Sequence, residues 1–196
     1  MPESHLPVES PSDAGHKPLL SRTELWVLTG ILIAAALLRF WYLSAVMHAP
    51  DYSALQQDPE VQDHFARAIL TGDWSERPGE TDPEIRTTPF YRPPGYGYLL
   101  TVLYFFSKGS YLAPRLLNVF LGLAAVYFLF RLGRHLFGLV AGLACALYSA
   151  FCGIFIYWEG EVNDPAIFVF LAVALFSLLL RWSASFKLRY LFLLGL

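Results

Sequence analysis

Three groups of charged residues in this 196-residue chain carry the chemistry its sequence can offer: Asp58 in Asp58-Pro59-Glu60, Arg92 in Tyr91-Arg92-Pro93-Pro94-Gly95-Tyr96, and the pair in Glu159-Gly160-Glu161. A carboxylate held where water meets an apolar surface is tuned toward neutral pH and can act as a general base. Asp58 fits that role, although Asp-Pro is also a favoured helix start, with Asp as the cap and Pro as the first helical residue. Arg92 precedes a stretch of helical pattern whose free N–H groups and dipole favour an anion, and a guanidinium there binds phosphate with two parallel bonds. The alternative is an arginine reaching up to lipid headgroups. Glu159 and Glu161, one glycine apart, can converge on a cation or a polar ligand, or can be a solvated turn. Arg115 and Arg39 lie close to the same end of their apolar runs, so either can join the cluster. Arg39, among Leu37, Leu38, Phe40 and Trp41, needs a partner, and an outer carboxylate or a lipid phosphate is the candidate.

The elements that must position these residues are apolar. Residues 25–46, 113–130, 139–158 and 166–180 are four runs near the ~20 residues with which a helix crosses hydrocarbon. The composition agrees, with 56% hydrophobic and 16% aromatic residues and a mean hydropathy of +0.45. This predicts an all-α, polytopic transmembrane helical protein with four complete crossings, plus a partial fifth at 190–196 that implies more protein beyond Leu196. Residues 1–24, rich in Pro and Ser, read as a disordered cytoplasmic tail. The net charge of −2 comes without a basic run or aromatic-basic interleaving, so nucleic acid is excluded as a partner. Cys145 and Cys152 fall inside the third run and behave there as small apolar residues.

Lys17 and Arg22 precede the first run, Arg131, Arg134 and His135 separate the second from the third, and Arg181, Lys187 and Arg189 follow the fourth. Short loops rich in Lys and Arg stay cytoplasmic, which predicts an inside N-terminus and an outer loop at 47–112. Within that loop, surface helices are expected near 59–71 and 94–107. In the first, Val61, Phe65, Ala68 and Ile69 share the apolar face. The second, with an apolar stretch of about 12 residues rising ~18 Å, is too short to span and is expected to lie at the interface. Glu159, Glu161 and Asp164 share the outer side, and Asp164-Pro165 reads as a helix start.

The order of one crossing, a loop with Asp58 opening a surface helix, Gly72-Asp73-Trp74, the Tyr91 to Tyr96 segment, Pro114-Arg115-Leu116-Leu117-Asn118 and Gly133-Arg134-His135-Leu136-Phe137-Gly138 resembles the type C glycosyltransferases. Among these it is most similar to bacterial relatives of protein mannosyltransferases and of the lipid A aminoarabinose transferase, over about residues 25 to 183. The resemblance implies a bacterial inner-membrane enzyme that takes a sugar from a polyprenyl-phosphate donor at the outer face and passes it to a protein, lipid or glycan acceptor. It implies Asp58 as the base, Arg92 and Arg115 as donor-phosphate ligands, and Glu159 and Glu161 as the second acidic motif. A divalent metal, Mg or Mn, would be held by Asp58, Glu159 and Glu161. The competing reading is a non-catalytic polytopic protein, a transporter or lipid-binding subunit, which requires charged residues lining a path through the membrane; Arg39 is its candidate.

Overall fold

The computed structural model describes residues 21–50, 52–75 and 93–186, with positions 189, 190, 192 and 195. Among the described residues every regular element is a helix. The tail at 1–20, Arg92 and most of the expected fifth run lie outside them.

Helix α1 (Arg22–Met47) begins at a capping box: the Ser21 hydroxyl accepts from the Glu24 N–H at 3.2 Å while the Glu24 carboxylate accepts from the Ser21 N–H at 2.9 Å. Two otherwise unmatched donors are satisfied reciprocally, which starts the helix three residues before the apolar run does. Helices α2 (Asp58–Thr71) and α3 (Pro94–Ser107) form a pair outside the long bundle. Helix α4 (Leu112–Phe137) outruns the expected second crossing by seven residues. Its added turns hold Arg131, Arg134 and His135, cations that suit the negative end of a helix dipole. The expected basic loop is therefore helix, and the reversal is made at Gly138, whose φ of +93° is closed to most other residues.

The expected third crossing is not one helix. Helix α5 (Leu139–Phe151) and helix α6 (Gly153–Gly160) meet at Cys152 with a bend of 48°. Helix α7 (Pro165–Ser185) follows, with Asp164 at its cap position. By length and hydropathy α1, α4 and α7 are each able to cross a membrane, and the bent α5–α6 pair together passes the same test, as a broken fourth span or a re-entrant loop. The core of this bundle is Leu28, Ile31 and Ala35 of α1 against Val126 and Phe130 of α4 and Ala146 and Ala150 of α5. Gly133 and Gly142 let α4 and α5 touch backbone to backbone, since a Cβ on Gly142 would run into the Phe130 carbonyl; small residues serve membrane helices in this way. Large apolar side chains such as Trp26, Leu37, Trp41, Phe120 and Val140 point outward, as they do where the surroundings are lipid.

Candidate functional site at one end of the bundle

The bend at Cys152 and the lone buried arginine of α1 explain each other. A helix that stops leaves its last carbonyls unmatched. Those of Ser149 and Ala150 accept from Arg39 at 3.2 and 2.9 Å, and Ala35 O takes a further bond at 3.4 Å. The remaining two donors go to Glu159, Nε to Oε2 at 2.7 Å and Nη2 to Oε1 at 3.1 Å. All five N–H groups of the guanidinium are thereby used. Both side chains are almost wholly buried, and Gly122 of α4 leaves the space: a Cβ there would overlap the Glu159 carboxylate. Of the two partners the sequence offered Arg39, the structure gives the carboxylate.

Glu159 thus turns inward at the end of α6, while the chain passes into extended backbone at Glu161 (φ −95°, ψ 153°). Glu159 is buried against Arg39, whereas Glu161 lies just past the end of the helix. Among the described residues no three His, Cys, Asp or Glu side chains stand where they could hold a metal ion. Glu159 has moreover given both oxygens to an arginine. Asp58, Glu159 and Glu161, as placed, do not form a site for a divalent metal.

Arg115 of α4, the other expected phosphate ligand, is bonded within the protein. It is 1% exposed, and its Nε donates to Gly160 O at 2.7 Å, Nη2 to Tyr52 O at 3.2 Å and Nη1 to Tyr111 O at 3.4 Å. Its plane lies 4.4 Å from the Tyr52 ring centroid. One guanidinium hooks the segment before α2 to the α6–α7 turn, across more than a hundred residues of sequence. One turn further along α4, Asn118 Nδ2 donates to Glu161 O at 2.9 Å and to Asn163 O at 3.4 Å. Ala66 of α2, Tyr96, Leu100 and Tyr104 of α3, and Val162 of the turn close over the same junction in one apolar cluster.

Asp58 opens α2 from this junction. The cap position falls one residue earlier than expected, on Gln57, which makes no side-chain cap bond. Gln57 has φ 57° and ψ −126°, a backbone state that costs a non-glycine residue about 1–3 kcal/mol and tends to collect at functional sites. The Asp58 carboxylate sits in the first turn, where the dipole favours a negative charge.

The face of α2 that docks differs from the expected apolar stripe. Ile69 is exposed, whereas Gln62 and Asp63 are buried. The reason is a polar knot that spacing along one helix does not reveal. Asp63 accepts from the Tyr104 hydroxyl at 2.7 Å, the Tyr111 hydroxyl at 3.3 Å and Arg67 Nε at 2.9 Å to each oxygen. Arg67 lies 4.8 Å over the Tyr104 ring and donates to Gly109 O at 3.2 Å. Burial and the Asp63 charge both raise the Tyr104 phenol well above its ordinary value. For Arg67, burial pulls downward but the Asp63 bond and charge outweigh it, so its pKa rises. Gly97 completes the α2–α3 contact by admitting the Phe65 ring. Next to the knot opens a polar cleft of about 500 Å³ lined by His64, Arg67, Asp73, Tyr104 and Lys108, within the range small-molecule sites take.

The knot makes a measurable prediction. Tyr104→Phe leaves a buried carboxylate short of its closest neutral donor and should cost about 1–3 kcal/mol, whereas Tyr111→Phe, which removes the longer bond, should cost less. Thermal unfolding in detergent ranks the two, and the reverse order would contradict the assignment of Asp63 to Tyr104.

Three or four apolar spans among the described residues, joined at one end by a buried polar junction, define an all-α, multi-pass membrane protein with its candidate site at the end of the bundle. The chain belongs to the dolichyl-phosphate-mannose-protein mannosyltransferase family, whose model matches residues 91–196. That range covers α3 to α7, including Arg115, Asn118 and the Glu159 to Asp164 turn. Family membership supports a membrane glycosyltransferase of type C in general. No curated protein and no solved structure matched the chain.

Proposed function

We propose that the chain carries the base-bearing part of a glycosyltransferase that takes a sugar from a polyprenyl phosphate at the outer face of the bacterial inner membrane and delivers it, with inversion, to an acceptor. Asp58 removes the acceptor proton, the acceptor oxygen or nitrogen attacks the anomeric carbon, and the lipid phosphate departs with the bonding electrons. Its negative charge is met by Arg92, which precedes α3 and lies outside the described residues. Arg115 positions: it holds the Asp58 segment against the Glu161 turn. That bridge, Tyr52 O to Arg115 to Gly160 O, is the observation that favours one shared site over a helix start and a separate turn.

The basic last turn of α4, with Arg134 and His135, and Arg181 near the end of α7 favour an inside location for that end and an outside location for Asp58. Helix α3 suits the outer interface: Tyr96, Leu100 and Tyr104 face the protein, while Tyr98, Val102, Phe105 and Phe106 are exposed on the side that would meet lipid. The transporter reading loses its one candidate, because Arg39 has no donor left for a passing substrate.

The test is donor choice. Membranes containing the protein, supplied with labelled sugar on polyprenyl phosphate, should form product, and the same sugar on a nucleotide should not substitute for it. Product from the nucleotide sugar alone would overturn the reading.

A further inference from the structure

At the end of the bundle opposite Asp58, a cavity of about 250 Å³ opens between α4 and α7. Its lining combines Arg131, His135 and Arg181 with the apolar Phe128, Leu132 and Leu180. Phe128, Arg131, Leu132 and His135 recur on one face of α4 at helical spacing, and Leu180 and Arg181 belong to the last turns of α7. Arg131 is held in place along α4: its Nη1 donates to the Tyr127 hydroxyl at 3.3 Å and its guanidinium lies 5.9 Å from that ring.

Both helices are long and apolar enough to span, so residues in their last turns stand at headgroup depth. A cationic wall beside an apolar floor at that depth matches an amphiphile with an anionic head, and basic pockets between spans serve this purpose elsewhere. We infer that this cavity binds the phosphate of an anionic phospholipid, its acyl chains lying along Phe128, Leu132 and Leu180. A free inorganic phosphate shares the charge but has no use for the apolar floor. The inference stands apart from the transferase reading, since it uses none of its residues.

The test is lipid retention. The full chain, reconstituted in vesicles of mixed phosphatidylglycerol and phosphatidylcholine and then extracted in detergent, is weighed by native mass spectrometry. Wild type should keep phosphatidylglycerol in preference to phosphatidylcholine. Arg131→Gln and Arg181→Gln should each lower that preference about fivefold, with helicity by circular dichroism confirming that the variants fold. Arg22→Gln removes a charge from the same end of the bundle but outside the cavity, and should leave the preference unchanged. Equal retention of the two lipids by wild type would overturn the inference without reference to any variant. So would an equal loss in Arg22→Gln, or displacement of phosphatidylglycerol by inorganic phosphate alone.

Discussion

Asp58→Asn should leave a folded protein whose sugar transfer falls by about 10² to 10⁴, the usual loss when a general base is removed. The substitution keeps size and polarity and takes away only the basic oxygen. The cap position is Gln57 and the first-turn charge that Asn loses is worth about 0.3–1 kcal/mol, with circular dichroism checking that the fold is kept. A role confined to starting α2 would therefore leave activity nearly intact. Transfer from a polyprenyl-phosphate sugar, compared at equal expression in membranes, separates the outcomes: near wild-type turnover returns Asp58 to a helix-start residue.

The second large effect is on stability, and it concerns Arg39 and Glu159. Removing one member of a buried, fully bonded ion pair strands the other, at a cost of about 3–5 kcal/mol. Arg39→Met also frees the Ser149 and Ala150 carbonyls at the α5–α6 break, so the loss should fall at the high end of that range. Glu159→Gln retains an acceptor for the guanidinium and should cost less. The double replacement Arg39→Met with Glu159→Leu should recover much of the single loss, because neither charge remains to be buried. Thermal unfolding in detergent reads all three. If Arg39→Met alone melts with wild type, the pair does not hold the bend.

Much of the fold is written in local signals. Hydropathy and length mark α1, α4 and α7, and Asp164-Pro165 announces the start of α7. The short apolar stretch after Pro94 becomes a 14-residue helix, as its length implies. The bend at Cys152 is not written this way, because no proline marks it and the run of apolar residues continues through it. Arg39, some 110 residues earlier, supplies the donors for the broken turn. The same limit applies to α2. Its apolar spacing points to Val61, Phe65, Ala68 and Ile69, but the buried face is decided by hydroxyls on Tyr104 and Tyr111 that meet Asp63 only after the chain has folded. At the site, residue types were legible and directions were not. Glu-Gly-Glu invites convergence, yet the helix ends between the two carboxylates and sends one inward to Arg39. Arg115 reads as a phosphate ligand because it is cationic near the expected site; the three backbone carbonyls that occupy it come from segments the sequence alone does not bring near.

In the proposed reading Asp58 stands on the outer face, at a site that takes a lipid-phosphate sugar. A single thiol introduced there tests both halves. In right-side-out vesicles containing the Asp58→Cys protein, with Cys145 and Cys152 replaced by Ala, a membrane-impermeant maleimide should label position 58 from outside. A polyprenyl-phosphate sugar should slow that labelling, and the corresponding nucleotide sugar should not. Labelling that requires the vesicles to be opened would place Asp58 on the inner side, and labelling at the same rate with the lipid donor present would remove it from the donor site.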